Sequence, residues 1–377
     1  MKRKNLREKS RLRLRMYLCV LFLVSGFLDF TQYMAYKSKE SVIKEPVFIT
    51  VLFILIYLAY KSQIVVRELG KVVCGKISGY DFVFTRIGRL YIVNEQGKKT
   101  KKKISYSLYG GHTVMAVHEY KNGDYPCMLY IYGGAIFNIL YYGLAVCILM
   151  PFKTDVYAGG FLKSLSIVAL FLIVKEIIMS YLQRLKIMKN KETKRCYYNW
   201  TKINYYLGQG LRYKDMDEKL FEMPDEKHMN NSICALIGAA NVERALDNFD
   251  FEGAHRAAEY TLKYGTGLAP GNKYMVKLQM ILCDLMSGDK EEEIKELLDD
   301  NVHKLLNSDA VLSEVIAIQY AFCLFYNHDE KEAEKYIKKF KNSLNDYLHN
   351  SNVHKEMELF NYIQDRYDNK LYGKEID

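Results

Sequence analysis

The sequence predicts a mainly α-helical protein in two parts. A basic tail at 1–15 precedes a membrane core of about four spanning helices at 16–195, which contains a small β-hairpin insert. A soluble domain of α-helical hairpins follows at 196–377. Three observations predict this fold class: half of the residues are hydrophobic yet the mean hydropathy is −0.16, the longest apolar runs all lie in the first half of the chain, and the second half has helical periodicity.

Charge divides the chain at the same place. The chain carries 54 Lys and Arg against 44 Asp and Glu. Residues 196–377 hold 22 of the basic and 32 of the acidic residues, which leaves 32 against 12 for residues 1–195. A basic half with apolar runs is typical of a membrane protein, and the acidic half excludes a general nucleic-acid binder. We therefore expect the lipid bilayer, and no nucleic acid, among the partners.

The cysteines give no sign of a metal or redox motif. The chain has eight of them, and no two are spaced as a CxxC pair. This spacing excludes a thiolate zinc knuckle and a thioredoxin-type site, and predicts core thiols in a reducing compartment. Frequent Lys, Tyr, Ile and Asn with only five prolines suggest an AT-rich bacterial genome.

Four apolar runs predict the spanning helices. They lie at about 16–36, 47–66, 128–150 and 160–182, and about 20 apolar residues suffice to cross the hydrocarbon core. The first run follows a tail with eight Lys and Arg, as a secretory signal peptide also would. We favour an uncleaved helix, because the run is long and lacks a small-residue cleavage site.

The basic segments predict the orientation. Four crossings place the N-terminus, residues 67–127 and everything after the fourth span on one side. That side carries the lysine run at 98–103 and the basic cluster at 184–195, whereas the loops at 37–45 and 151–159 are nearly neutral. The positive-inside rule makes the basic side cytoplasmic. We expect a multi-pass protein of the bacterial plasma membrane with both termini in the cytoplasm.

A β insert at about 82–109 separates the second and third spans. Asn94–Gly97 is typical of a hairpin turn between strands at Phe82–Val93 and Ile104–Tyr109. The turn is followed by five lysines that we predict to contact anionic lipid headgroups, the alternative being a solvated hairpin tip. These lysines are Lys98, Lys99, Lys101, Lys102 and Lys103.

The segment before the insert resembles a known family. Residues 66–75 read VRELGKVVCG, and Phe84–Gly88 reads FTRIG. This is similar to the site-2 protease family of intramembrane zinc metalloproteases, whose active-site helix reads HELGH. Gly110-Gly111-His112, the GGxxxN pattern of Gly133–Asn138 and the segment from Asn190 to Met216 resemble further family pieces in the family's order. The resemblance covers roughly residues 47–222.

The departures from the family pattern bear on the chemistry. In an HExxH helix two histidines bind zinc and the glutamate is the general base. Here Arg67 and Lys71 stand at the ligand positions, while Glu68 remains at the base position. Arginine offers no lone pair to a metal. The family's third ligand, an aspartate, would fall near 179–181, and that segment reads Met-Ser-Tyr. The resemblance thus implies a degenerate site with no zinc and no other cofactor.

Two interpretations of this helix stay open. Glu68 and Lys71 are three residues apart and can pair on one face, in the place that zinc would occupy. Alternatively, Arg67, Glu68 and Lys71 extend to water at the cytoplasmic end of the second span. His112, with His118 six residues on, is a candidate displaced ligand, although we favour ordinary satisfied or exposed histidines.

The soluble half shows repeated helical hairpins. Helical periodicity predicts pairs at Ile233–Leu246 with Phe251–Tyr264, Lys273–Ser287 with Glu291–Leu298, and Leu312–Tyr326 with Glu330–Lys341. The pattern resembles degenerate tetratricopeptide-like repeats, with a plain helical bundle as the alternative. A groove between such hairpins, in an acidic domain, would bind a basic peptide or partner.

Three functional hypotheses follow. The first is a catalytically inactive site-2 protease-like protein that binds a membrane-proximal peptide or protein partner, with the helical domain as the binding module. The second is a divergent active intramembrane metallopeptidase that processes a membrane or signal peptide. The third is a membrane-anchored helical scaffold. We favour the first, because the residues at all three ligand positions depart from the family.

Overall fold

The computed structural model describes residues 45–104, 110–118, 124–152, 156–288, 291–307, 313–344 and 347–371. The basic tail at 1–15 and the apolar run at 16–36 lie outside these described residues. The chain divides into two compact units. The first contains the residues through Cys74 and Met128–Leu182, and the second contains Gly75–Cys127 and the residues from Gln183 onward. We predicted a border at 195; the structure places the β insert in the same unit as the helical half.

Three long helices form the described part of the first unit. They are α1 (Glu45–Ile77), α2 (Met128–Leu149) and α3 (Val156–Ile187). The last residues of α1 and of α3 belong to the second unit. Two stretches, Met128–Leu149 and Leu162–Ile187, are long and apolar enough to cross a membrane. They correspond to the spans predicted at 128–150 and 160–182. The span predicted at 47–66 lies within α1, and the four-span core stays a prediction.

Large apolar side chains point outward from all three helices. Phe53 of α1, Leu140 of α2 and Leu170 of α3 are 68%, 62% and 65% exposed. Soluble helical bundles bury such side chains, and large exposed apolar surfaces indicate contact with a partner or a membrane. The exposed side chains therefore agree with lipid around this unit.

Glycines allow α1 and α2 to approach closely. A Cβ atom on Gly70 would lie 2.5 Å from the carbonyl oxygen of Gly133, and one on Gly133 would lie 2.7 Å from Cβ of Cys74. Such small-residue crossings are typical of helix pairs in membranes. The first glycine of the GGxxxN pattern thus lies at a close helix contact.

The second unit begins with a four-stranded antiparallel sheet of order β3-β2-β1-β4. Its strands are β1 (Asp81–Ile87), β2 (Leu90–Glu95), β3 (Lys98–Lys103) and β4 (Gly111–Ala116). The turn between β2 and β3 is the predicted one. Its central residues Gln96 and Gly97 have φ values of 49° and 81°, as a two-residue hairpin turn with matching twist requires.

The lysine run is a strand and not a hairpin tip. We predicted the second strand of the hairpin at Ile104–Tyr109; the strand paired with β2 is Lys98–Lys103, with Glu95 opposite Lys98 and Leu90 opposite Lys103. Lysine has low strand propensity, but β3 lies at the edge of the sheet, where lysines protect against pairing with other chains. Residues 105–109 lie outside the described part of the chain.

Helix α4 (Lys191–Gly208) covers one face of the sheet. Val93 and Val114 belong to a buried cluster against which Trp200 and Tyr205 of α4 pack. The helix starts with a capping box, in which the Asn190 side chain accepts from the Thr193 backbone N–H and the Thr193 hydroxyl accepts in return.

The helical hairpins lie close to the predicted residues. They are α5 (Ser232–Asp247) with α6 (Phe251–Tyr264), α7 (Pro270–Ser287) with α8 (Glu291–Leu297), and α10 (Ser313–Phe325) with α11 (Glu330–Ser343). Two further helices, α9 (Asp300–Leu306) and α12 (Asn350–Leu371), are not assigned by the sequence analysis. Short 3-10 segments occur at Met150–Phe152, Tyr213–Asp215, Glu218–Phe221 and Glu226–His228.

One apolar core connects these hairpins. It runs from Val242 on α5 through Ile281 on α7 and Tyr320 on α10 to Ile363 on α12. The mainly helical fold class with a small antiparallel sheet is thus confirmed.

Candidate functional site

The candidate site is a group of four charged side chains in the first unit. Arg67, Glu68 and Lys71 lie on α1, and Glu176 lies on α3. Because residues i, i+3 and i+4 share a helix face, α1 presents Lys71 and Arg67 together toward the same neighbour. We call these four residues the charge cluster.

Every member of the charge cluster contacts an opposite charge. Arg67 donates to Oε1 of Glu68 from Nη2 at 2.5 Å and from Nε at 2.7 Å. Nζ of Lys71 lies 2.9 Å from Oε1 of Glu176 and 3.9 Å from Oε1 of Glu68. Nη1 of Arg67 lies 3.6 Å from Oε2 of Glu176. Two cations and two carboxylates therefore form a closed set with no net charge.

The charge cluster is shielded from solvent. The side chains of Glu68 and Glu176 are 1% and 9% exposed, and those of Arg67 and Lys71 are 13% and 18% exposed. Isolated charges at such depth are costly, and pairing removes most of that cost. The structure thus has buried pairing and not extension to water, but the nearer partner of Lys71 is Glu176 and not the predicted Glu68.

Gly134 of α2 provides the space for the charge cluster. A Cβ atom on Gly134 would lie 2.8 Å from Cγ of Arg67 and 3.1 Å from both Oε1 of Glu176 and Cε of Lys71. A larger side chain there would push the charged groups apart. The second glycine of the GGxxxN pattern thus has a local structural role beside the ion pairs.

Two buried amides lie one helical turn from the charge cluster. Gln63 precedes Arg67 by four residues on α1, and Asn138 follows Gly134 by four residues on α2. Both side chains are 0% exposed, and within the described part of the chain neither amide has a hydrogen-bond partner. Unsatisfied buried amides are costly, so each can bind a polar group that enters this layer.

The charge cluster does not suit the zinc ion that an HExxH helix binds. No histidine occurs in residues 1–74 or 128–182. Two of the four side chains are cations, which repel a divalent ion, and both carboxylates already bind these cations. Across the described residues no group of three or more His, Cys, Asp or Glu side chains is arranged to hold a metal.

His112 and His118 belong to the second unit, whereas the charge cluster belongs to the first. His112 is on β4 opposite Arg86, with its ring 6.0 Å from that of Phe84. His118 lies past the end of β4, is 64% exposed, and has Nδ1 2.9 Å from a carboxylate oxygen of Asp81. His118 therefore does not lie on the strand that carries His112.

The lysines of β3 have two different environments. The side chain of Lys102 is 14% exposed; its Nζ lies 2.6 Å from Oε1 of Glu95 and 2.9 Å from Oδ1 of Asn350 at the start of α12. The carbonyl oxygens of Tyr347 and Leu348 lie 3.3 Å from the same Nζ. These contacts remove Lys102 from the predicted lipid-binding set. The remaining lysines of the set are exposed: Lys98, Lys99, Lys101 and Lys103.

A buried histidine adjoins the Lys102 contacts. His349 is 2% exposed, and burial, with a smaller contribution from Lys102, lowers its pKa to about 4. The ring is therefore neutral at pH 7, and neither ring nitrogen has a hydrogen-bond partner in the residues described.

Sequence reasoning missed Glu176 as a member of the site. The signal was present, because a carboxylate inside a long apolar helix requires a partner. The position of the family's third ligand falls one turn later, at 179–181. There Ser180 donates to the carbonyl oxygen of Ile131 at 2.9 Å.

No protein-family model, no curated protein and no solved structure matches this chain.

Proposed function

We propose that the protein is a multi-pass plasma-membrane protein of a bacterium, with a site-2 protease-like core that has no peptidase activity. It binds a membrane-proximal peptide or a protein partner. The observation that carries this proposal is the charge cluster. Arg67 and Lys71, at the positions of the two histidine ligands, form ion pairs with Glu68 and Glu176.

The chemistry of the charge cluster favours binding over hydrolysis. A general base must accept a proton from water, and Glu68 instead accepts two hydrogen bonds from Arg67. Lys71 Nζ also lies 3.9 Å from the same oxygen, so Oε1 of Glu68 is already occupied by cations and is not free to accept a proton from water.

The two buried amides support a peptide as the ligand. A primary amide offers one acceptor and two donor hydrogens, which match the N–H and C=O groups of an extended main chain. Gln63 and Asn138 lie on helices that face each other across the Gly70–Gly133 contact. A segment of a membrane peptide that enters this layer would satisfy both amides.

The test restores the family's ligand pattern and measures bound metal. We expect the wild-type protein, purified in mild detergent after growth with added zinc, to contain no stoichiometric zinc by mass spectrometry. The double variant Arg67→His/Lys71→His should bind about one zinc per chain, since two histidines and the carboxylate of Glu176 make a common zinc site. A control pair with the same spacing, Lys61→His/Val65→His, lies away from Glu176 and should bind none.

Each alternative predicts a different result. Stoichiometric zinc in the wild-type protein would support the divergent active metallopeptidase and overturn the proposal. Zinc absent from the double variant would count against the protease-like arrangement of this site and leave the membrane-anchored scaffold.

A further inference from the structure

Helix α12 crosses the helical unit from its first hairpin to its last. Tyr362 stacks on Phe249, in the turn between α5 and α6, with ring centroids 5.0 Å apart. Phe360 stacks on Tyr320 of α10 at 5.0 Å and on Phe340 of α11 at 4.3 Å. A single helix thus contacts both ends of the hairpin stack.

The same helix buries a cation against the stack. Lys355 is 8% exposed, and its ammonium donates to Glu243 of α5. The other carboxylate oxygen of Glu243 accepts from Gln279 of α7 at 2.5 Å. Burial alone would lower the pKa of Lys355, but the carboxylates of Glu243 and Glu356 raise it above its ordinary value. Side chains from two hairpins therefore form a receptor for one charged ammonium.

The surface under α12 is built from residues of all three hairpins. Side chains of α12 contact α5 and α10, and Lys355 shares its carboxylate partner with Gln279 of α7. Stacked helical hairpins commonly use such a surface to bind partners. In this chain, α12 covers that surface.

We propose that α12 is an exchangeable internal ligand, and that the partner of this surface is an amphipathic helix of the same chemistry. The partner presents a lysine or arginine to Glu243, which Gln279 holds in place, followed five and seven residues later by aromatic side chains. This inference rests on the proposed binding function and names both the class of partner and its regulation. While α12 is docked, the surface is closed to other helices.

The contacts of α12 have the composition of a protein–protein interface. Aromatic anchors and a desolvated charge pair dominate binding energy at such interfaces. A buried ion pair contributes to specificity more than to stability, because desolvation offsets the Coulomb attraction. A helix that supplies the same groups can therefore replace α12 with little net loss of contacts.

The test measures binding of a fluorescent synthetic peptide, residues 348–371 of this chain, to the full-length protein in mild detergent. The peptide binds only those chains in which α12 is undocked. In the wild-type protein the apparent affinity is therefore the intrinsic affinity multiplied by the undocked fraction. Lys355→Gln weakens the internal helix, so the variant should bind the peptide about tenfold tighter than the wild type. The matched control, Lys338→Gln, changes an exposed lysine of α11 and should behave as the wild type.

The peptide provides a second control. A peptide with alanine in place of the lysine that corresponds to Lys355 should bind the Lys355→Gln protein about tenfold more weakly than the original peptide. Equal binding by the wild-type, Lys355→Gln and Lys338→Gln proteins would overturn the proposal, provided that circular dichroism shows all three folded.

Hydrogen exchange of the wild-type protein decides the question if Lys355→Gln does not fold. An exchangeable α12 opens locally, so its amides should exchange about tenfold or more faster than those of α10. Equal protection of α12 and α10 would mean that α12 opens only on global unfolding, and the proposal fails. Stoichiometric zinc in the membrane unit would overturn the proposed function without affecting either readout.

Discussion

Glu176 is the residue whose removal should disturb the first unit most. Its carboxylate lies 2.9 Å from Nζ of Lys71 and 3.6 Å from Nη1 of Arg67. Glu176→Ala leaves two buried cations with a single carboxylate, and breaking a buried pair in this way costs about 3–5 kcal/mol of the free energy of unfolding. Denaturant unfolding in mild detergent would measure this loss.

The neighbouring residue supplies the control for that experiment. Lys175 is exposed on the same helix, so Lys175→Ala should change the free energy of unfolding by about 0.5 kcal/mol or less. Equal effects of the two substitutions would contradict the structural importance of the charge cluster.

His349 should make the second unit sensitive to mild acid. Burial lowers its pKa to about 4 from an ordinary value of 6.5. Between these two values the unfolded chain binds the proton and the folded chain does not, so stability falls as the pH decreases from 6.5 to 4. At pH 5 the loss relative to pH 7 is about 2 kcal/mol.

Variants of two histidines on or near α12 test this pH dependence. His349→Gln removes the titrating group and should reduce the difference between the melting temperatures at pH 7 and pH 5. His354→Gln changes an exposed histidine and should leave that difference as in the wild type. A pH dependence unaffected by His349→Gln would assign the effect to other groups.

The individual residues of the charge cluster could be predicted only in part. The HExxH-like spacing identified Arg67, Glu68 and Lys71, because the motif is local in sequence. Glu176 and Gly134 belong to other helices, and their positions beside this motif depend on how the helices cross. Helix crossing is a tertiary property that the spacing of residues within one helix does not determine.

At the scale of elements, the close crossing of α1 and α2 predicts how a larger residue at Gly133 would affect stability. A Cβ atom on Gly133 would meet Cβ of Cys74 at 2.7 Å and the carbonyl oxygen of Gly70 at 2.8 Å. Gly133→Ala should therefore force the helices apart and destabilise the unit by about 1–3 kcal/mol, despite the better helix propensity of alanine. Thermal unfolding in mild detergent would show a lower midpoint.

Gly143 is the matched control on the same helix. Nothing lies within 4 Å of the position that its Cβ would occupy, so Gly143→Ala should be neutral or stabilise the helix by up to about 1 kcal/mol. A similar decrease in melting temperature for both variants would show that the crossing is not the cause.

The elements of the helical half were the most predictable. Periodicity and turn residues placed α6 (Phe251–Tyr264) at the predicted residues and α5 within one residue at each end. The strand β3 was misplaced, because six residues that include five lysines carry no apolar alternation. Its strand structure depends on pairing with β2, which sequence patterns of β3 alone do not reveal.

At the scale of the whole molecule, the charge distribution predicts the orientation in the membrane. In a cysteine-free background, Lys101→Cys on β3 and Lys338→Cys on α11 should react with a membrane-impermeant maleimide only after the cells are permeabilised. Lys153→Cys, in the loop between the third and fourth predicted spans, should react in intact cells. Labelling of Lys101→Cys in intact cells would contradict the predicted orientation.

The division of the molecule was only partly predictable. The sequence separated a basic apolar half from an acidic helical half, but the sheet, which lies within the basic half in sequence, belongs to the same unit as the helical half and packs against α4. Contacts such as Thr201 Oγ1 with the backbone N–H of Val117 join residues 84 positions apart. Composition along the chain contains no information about pairings at this separation.

The contacts of α12 also constrain the order of events during synthesis. Ser351 donates to the carbonyl oxygen of Leu207, 144 residues earlier, and Lys102 donates to that of Leu348, 246 residues later. Contacts of such high sequence separation form slowly, because a long loop must close first. The sheet and α4 leave the ribosome well before α12, and can acquire these contacts only after α12 has emerged. The second unit therefore completes its folding only after α12 has left the ribosome, whereas the helices of the first unit can insert as they emerge.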